Sequence, residues 1–393
     1  MADKRFYNWR ETSFAHRKKL MLAAASELRK NKKEYAETMT LEMGKPISQA
    51  IAEIEKCAWV CEYYAENAEK QLQNEVINTD AHKSYVSFEP LGVILAIMPW
   101  NYPFWQVFRF AAPALMAGNI GVLKHASNVF GSALNIEKVF KRAGFPDNCF
   151  TTLLVGSDAV EKIIENKKIK AVTLTGSGPA GSSVASIAGR NIKKTVLELG
   201  GNNALVVMKD CDMQKTIDTC VQARFQNTGQ SCIAGKRLLI DETIAEEFVE
   251  KMLVKVRELK SGDPMDVETF IGPLARTDLA KDLEKQVNAS VKAGAKLEIG
   301  GKRQGAYFEP TILTNVADIM AVFNEETFGP ALSVTTFKTV EEAIELSNNS
   351  KFGLGVSIFT KKIEEIEKLA FRFDEGAVFI NELVKSDPRL PFG

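Results

Sequence analysis

Five apolar runs, each short enough for a strand and followed by a turn or a helix-like stretch, constrain this chain more than any other feature. They are Gly92–Met98, Ile120–Lys124, Phe150–Val155, Ala171–Thr175 and Val196–Leu199. Gly92–Met98 is a continuous apolar run, as expected for a parallel strand buried on both faces. Strands alternating with helices predict a doubly wound α/β domain. A second series starts at Ala204-Leu-Val-Val-Met208 and continues to Ala377-Val-Phe-Ile380, which predicts a second α/β domain. Ahead of both, residues 13–75 show helical periodicity through Phe14, Leu20, Leu22, Ala23 and Leu28, with a stop at Gly44-Lys45-Pro46 and a restart over Ile47–Glu69. Tyr85-Val-Ser-Phe88 alternates like a strand and ends at Glu89-Pro90. The expected domains are 1–76 with 91–200, then 201–393, with a separate β segment at 77–90.

Composition narrows the function classes. Lys+Arg and Asp+Glu each number 50 among 393 residues, so the formal charge is zero. No basic excess points to nucleic acid, and an anionic ligand has to be held by local groups. Six cysteines at 57, 61, 149, 211, 220 and 232 show no CxxC spacing. With three scattered histidines, 16, 82 and 125, no metal site is expected. The cysteine usage suits a reducing compartment. No signal-like segment and no membrane-length apolar run is visible, so a cytoplasmic protein without membrane partners is expected.

Several residues carry possible chemistry. Asn227-Thr-Gly-Gln-Ser-Cys232-Ile-Ala-Gly235 follows an expected helix, Met213–Phe225, and precedes the apolar run Arg237–Ile240. A cysteine in such a glycine-flanked turn is either a reactive thiolate or a buried hydrophobe. Gly176-Ser-Gly-Pro-Ala-Gly181 matches GxGxxG after a strand, and reads as a phosphate-binding turn or as a plain strand-to-helix turn. Glu198 ends the next strand before Gly200-Gly201 and has three readings: a ribose ligand, a general base for an intermediate on Cys232, or a solvent-facing acid. Asn101 could donate to an oxyanion or simply form a turn beside proline. Lys124 and Ser127, at a strand end and helix start, suit phosphate oxygens or a surface lysine with an N-cap serine.

Taken in order, Pro99-Trp-Asn-Tyr-Pro103, Lys124, Thr175-Gly-Ser177, Glu198-Leu-Gly-Gly201, Asn227–Cys232, Glu325-Glu-Thr-Phe-Gly-Pro330 and Pro391-Phe-Gly393 resemble the aldehyde dehydrogenase superfamily over essentially the whole chain. Within it, Trp100–Arg109, Leu123–Asn128 and Ser386–Gly393 are similar to the bacterial succinate-semialdehyde dehydrogenases. The resemblance implies a coenzyme domain, a catalytic domain and a small β oligomerisation arm. It implies Cys232 as nucleophile, Asn101 with the Cys232 amide as oxyanion hole, and Glu198 as the base that activates water. Trp100, Lys124, Ser127, Gly176, Ser177, Glu326 and Phe328 would hold the coenzyme, with Gly178 less important.

Relatives that prefer NAD often carry a glutamate three residues after the lysine. Here that position is Ser127, which would not repel a 2′-phosphate, so NADP is expected to be accepted alongside or ahead of NAD. For the substrate, the resemblance implies that Arg109 binds a distant carboxylate, eight residues and two helical turns after Asn101, with Ser386 as a second contact. Gln226 stands where some relatives have a second arginine. The expected substrate is succinate semialdehyde, oxidised to the acid through a thiohemiacetal and a thioester on Cys232, with Gln226 leaving room for glutarate semialdehyde or uncharged aldehydes; the expected assembly is a homodimer or homotetramer. The resemblance also implies a final strand after Gly393, so the C-terminal part of the arm is expected to be absent. Two alternatives accompany this reading: a coenzyme A-acylating enzyme, which Glu198 argues against, and an inactive fragment with a binding role.

Overall fold

The computed structural model describes residues 1–392. The chain divides into two compact units: unit 1 is Met1–Glu42 with Ala50–Leu199, and unit 2 is Met43–Gln49 with the chain from Gly200 onward.

The first stretch is helical: α1 (Ala2–Trp9), α2 (Phe14–Lys30), α3 (Lys32–Met43) and α4 (Ile47–Gln71). Ser13 caps α2 by accepting the His16 N–H at 3.2 Å, and Gly44 at φ +73° allows the turn after α3. A small antiparallel pair follows, β1 (Glu75–Val76) with β2 (Tyr85–Val86). The strand expected over Tyr85–Phe88 is thus only two residues long. Its side chains, like Phe88, are exposed, so no buried face extends the pairing.

Unit 1 then builds β3 (Val93–Met98), α5 (Trp105–Met116), β4 (Ile120–His125), α6 (Phe130–Arg142), β5 (Phe150–Leu153), α7 (Val160–Glu165), β6 (Ile169–Thr175), α8 (Gly178–Arg190) and β7 (Lys194–Glu198). The five long strands are all parallel, in the order β5-β4-β3-β6-β7. Each apolar run predicted as a strand is one. Aromatic packing of Phe104, Phe108, Phe140 and Phe150, with ring centroids 4.8–6.3 Å apart, fills the space between α5, α6 and β5.

Unit 2 comprises β8 (Ala204–Val207), α9 (Met213–Phe225), β9 (Arg237–Asp241), α10 (Ala245–Arg257), α11 (Thr277–Lys292), β10 (Lys296–Ile299), β11 (Arg303–Gln304), β12 (Tyr307–Phe308), β13 (Thr311–Thr314), α12 (Ala321–Asn324), β14 (Ala331–Phe337), α13 (Val340–Asn348), β15 (Val356–Phe359), α14 (Ile363–Leu369) and β16 (Val378–Ile380). Its sheet runs β10-β13-β14-β9-β8-β15-β16, parallel except for the edge strand β10. Two apolar clusters cover its faces, one around Phe323, Phe337 and Ile358, the other around Phe225, Phe248 and Leu332. The fold is therefore the α/β arrangement that the sequence predicts, once in each unit.

Candidate active site

In unit 1 the candidate residues lie at the carboxyl ends of strands. β3 leads into Trp100 and Asn101, β4 ends with Lys124 and leads to Ser127, β6 leads into Gly176 and Ser177, and β7 ends on Glu198. The chain steps outward from β3 to β4 and β5, then returns to the other side through β6 and β7. Open α/β sheets bind ligands at such a reversal, outside the carboxyl ends.

The segment carrying Asn101 is pinned at both ends. Asn101 itself is buried, at 4% exposure. Behind it, Glu53 on α4 accepts the N–H groups of Phe104 and Trp105, both at 2.9 Å, and so caps α5 with a buried carboxylate. In front, the buried His125 ring bridges the segment. Its Nε2 lies 2.9 Å from the Pro103 carbonyl oxygen and its Nδ1 3.1 Å from the Met98 carbonyl oxygen, so the ring spans the two ends of the turn. Neither Glu53 nor His125 stands out in the sequence. This geometry also corrects the expected spacing of Asn101 and Arg109. Asn101 precedes the helix, because Glu53 starts α5 at Trp105, so the two residues are not two turns apart on one helix.

Burial pushes the His125 imidazole down to about 4, against an ordinary value near 6.5. The ring is neutral in the fold and charges more easily when unfolded. Its contribution is therefore whole above pH 6.5 and is lost as pH falls toward 4, on the order of 3 kcal/mol in all. Urea unfolding at pH 7 and pH 5 should show a larger acid loss for the wild type than for His125→Gln. Equal losses would remove His125 as the source.

Lys124 is buried at 8% exposure; burial lowers its pKa and Asp158 opposes that shift. Ser177 precedes α8 and makes no capping hydrogen bond with its hydroxyl, while Pro179 occupies the first turn. Of the GxGxxG glycines, only Gly181 is sterically required: a Cβ there would come within 2.4 Å of Leu199 Cδ2, whereas Gly178 faces open space. The match thus records helix-on-strand packing at one glycine. The helix-start amides and the lysine still fit a phosphate group.

Glu198 is half-buried, and its carbonyl accepts the Gly176 N–H at 2.9 Å. Burial raises its pKa and the Arg109 charge lowers it. Arg109, half-buried on α5, also reaches Thr175 Oγ1 at 3.5 Å, and Thr175 pairs with Glu198 across β6 and β7.

Unit 2 presents its candidates at the amino ends of strands. Cys232 precedes β9, Gly200–Asn203 precedes β8, and Glu326–Pro330 precedes β14. Cys232 is half-buried, while the other five cysteines are buried. Its loop begins with three consecutive left-handed residues, Asn227 (φ +56°), Thr228 (φ +53°) and Gly229 (φ +71°). A β-branched residue there is an outlier, and such strain persists where surroundings over-determine it. They do so here. Gln49 Oε1 accepts the Asn227 N–H at 2.6 Å, Thr228 Oγ1 accepts the Gly272 N–H at 3.1 Å, and Gln230 Oε1 accepts the Ala275 N–H at 2.9 Å. Gly229 admits no side chain, since a Cβ would lie 2.5 Å from the Gly329 carbonyl oxygen.

Glu326 accepts the Gly201 N–H at 3.0 Å. Side chains at Gly200 and Gly201 would come within 2.5 Å of Glu326 Oε2 and of the Cys232 carbonyl oxygen respectively, so the glycine pair lets these groups close up. Phe328 is half-buried in the same loop as Glu326, Gln226 ends α9 half-buried, and Ser386 is buried at 5% exposure after β16. Among the described residues no three His, Cys, Asp or Glu side chains gather to hold a metal.

One unit is doubly wound, with a lysine and open amides at its strand ends, and the other holds a thiol on a locked loop; these are features of a class, the coenzyme-dependent oxidoreductases. The profile of the aldehyde dehydrogenase family matches residues 1–393. A Synechocystis protein named probable succinate-semialdehyde dehydrogenase [NADP(+)] is 49% identical over 396 residues, covering 100% of this chain and 87% of that protein. The Mycobacterium tuberculosis succinate-semialdehyde dehydrogenase [NADP(+)] 1 is 47% identical over 398 residues, with the same coverages. The crystal structure of succinic semialdehyde dehydrogenase from Streptococcus pyogenes in complex with NADP+ superposes with a TM-score of 0.97 at 35% identity, covering 100% of this chain and 87% of that one. This chain belongs to the aldehyde dehydrogenase family.

Proposed function

We propose that this enzyme oxidises succinate semialdehyde to the acid with NADP, accepting NAD less well. What supports the reading most is the row of Asn101, Lys124, Ser177 and Glu198 along the carboxyl ends of β3, β4, β6 and β7. The names of its relatives supply the substrate and coenzyme.

A bound nicotinamide coenzyme supplies the hydride acceptor. Lys124, Ser127, Gly176, Ser177 and Trp100 would hold its phosphate and adenosine side, and Glu326 and Phe328 its nicotinamide side. The Cys232 thiolate adds to the aldehyde carbon. The resulting oxyanion takes hydrogen bonds from the Asn101 side chain and the Cys232 N–H. Loss of hydride from that carbon leaves a thioester on Cys232. Glu198 removes a proton from water as the water attacks, the thiolate departs, and the acid is released. Arg109 holds the substrate's far carboxylate, with Ser386 and Gln226 as neutral partners. Incubating the chain with succinate semialdehyde and either coenzyme, and following the absorbance of the reduced form, tests the reading. Activity with NADP at least matching NAD is expected. Turnover that requires coenzyme A would favour the acylating alternative.

Arg109 has two effects that separate experimentally. Arg109→Ala should raise KM roughly tenfold or more for succinate semialdehyde but little for a neutral aldehyde, since a charge-assisted hydrogen bond is lost. It should also move the acid limb of the pH–rate profile to higher pH with either aldehyde, because the charge that lowers the Glu198 pKa is gone. Equal KM changes for both aldehydes would refute the carboxylate anchor.

Ser127→Glu should cost roughly 10- to 100-fold in kcat/KM for NADP and change NAD little, through repulsion of the 2′-phosphate. An unchanged coenzyme ratio would remove Ser127 from the selectivity. The assembly is proposed to be a cytoplasmic homodimer or homotetramer, with the exposed pair β1–β2 as its arm; sedimentation velocity reads the state directly.

A further inference from the structure

The loop that carries Cys232 is fastened from below by a lysine that no step above uses. Lys236 immediately precedes β9, and its backbone is held on both sides. Its N–H donates to the Asn203 carbonyl at 2.9 Å, and its carbonyl accepts the Ser333 N–H and hydroxyl, each at 3.2 Å. The side chain has no exposure at all. Its ammonium donates to the carbonyls of Ser231 and Cys232, both at 2.8 Å, with the Ala234 carbonyl at 3.5 Å. Glu326 Oε1 lies 3.5 Å from the same nitrogen.

An ammonium has three donors and no acceptor. Here they point at the carbonyl oxygens on either side of the cysteine and at the carboxylate proposed to hold the coenzyme. An unpaired buried charge costs several kcal/mol, so a lysine persists in such a place only with partners of this kind.

We propose that Lys236 is a positioning residue for the thiol step: its buried ammonium locks the Cys232 loop to Glu326 and stabilises the thiolate by its charge. The proposal rests on reading Cys232 as the nucleophile.

Three charges act on Lys236: Glu326 and the Cys232 thiolate favour its charged form, and buried Arg224 opposes it. Coulomb coupling is mutual, so an ammonium favoured by the thiolate favours the thiolate in turn. Burial brings Lys236 down to about 8, which leaves it charged at neutral pH.

The test is the pH dependence of iodoacetamide alkylation at Cys232, followed by peptide mass spectrometry in the whole enzyme. The other five cysteines are buried, so the label reports this thiol. Lys236→Met should slow alkylation at pH 7 about tenfold, move its midpoint to higher pH and lower kcat. Lys236→Arg, which keeps a positive charge beside the same carbonyls, should bring the midpoint back toward the wild-type value. A loosened structure would not be rescued by charge. Should Lys236→Met fail to fold, Lys236→Gln, which keeps a donor for the carbonyls but no charge, decides by the same upward shift. A midpoint in the uncharged variants that stays with the wild type overturns the proposal. A Cys232→Ala enzyme that still oxidises aldehyde would instead overturn the nucleophile assignment beneath it, so the two failures are distinguishable.

Discussion

Cys232→Ala should abolish aldehyde oxidation, by roughly ten-thousand-fold or more, while leaving coenzyme binding intact. The expected size follows from what is removed. Without the sulfur no thiohemiacetal forms, and the carbon that must lose hydride never becomes tetrahedral; removing a covalent nucleophile has effects on this scale. No other cysteine can substitute, since the remaining five are buried. The loop itself should survive. Its left-handed run is held through Asn227, Thr228 and Gln230, and its carbonyls through Lys236, none of which depends on the sulfur. Fluorescence titration with NADP should therefore match the wild type while the absorbance assay shows no turnover. Retained turnover would end the covalent mechanism. Lost coenzyme binding would mean that the loop had collapsed, and a Cys232→Ser enzyme, closer in shape, would then be the control.

The division between what the sequence reveals and what it hides follows from where the determining contacts lie. The central strands β3 and β4 are legible because a parallel strand buried on both faces reads as a near-continuous apolar run, whereas the edge strand β7, with Val196 61% exposed, is legible through the alternation of strands with helices. The family motifs are legible because each is local. Longer-range contacts are not. Helix α5 starts at Trp105 because of Glu53, 52 residues earlier, and no spacing rule applied to Asn101 and Arg109 contains that carboxylate. The left-handed residues before Cys232 depend on Gln49, 178 residues away, and on Gly272, 44 residues on. Nothing in the sequence around Lys236 marks it as buried; three carbonyls and a carboxylate converge on it only in the fold. The GxGxxG match misleads in the other direction, since its spacing is met while only Gly181 is sterically required. The rule that ligands sit at the carboxyl ends of strands points to the candidates of unit 1 and misses Cys232 and Glu326, which stand before β9 and β14.

Glu198→Gln should separate the two halves of the reaction. Glutamine has the shape of glutamate and can occupy the same half-buried place at the end of β7, but it cannot take a proton from water. Thiolate attack and hydride loss need no proton from this residue, so the first turnover should proceed. A burst of reduced coenzyme close to one per Cys232 should appear in stopped flow. Hydrolysis of the thioester should then slow by roughly 10²- to 10⁴-fold, the usual contribution of a general base. Intact mass should show an acyl group on the enzyme, removable by hydroxylamine. The pH profile provides an independent reading. In the wild type, burial raises the Glu198 pKa, so deacylation should fall off at a higher pH than an exposed glutamate would give, with Arg109 holding that limb back. The Gln enzyme should lose this limb, because no carboxylate remains to be ionised. Unchanged steady-state turnover would rule out Glu198 as the base. A burst with the acid limb intact would place water activation on another group and leave Glu198 with the shape of the pocket alone.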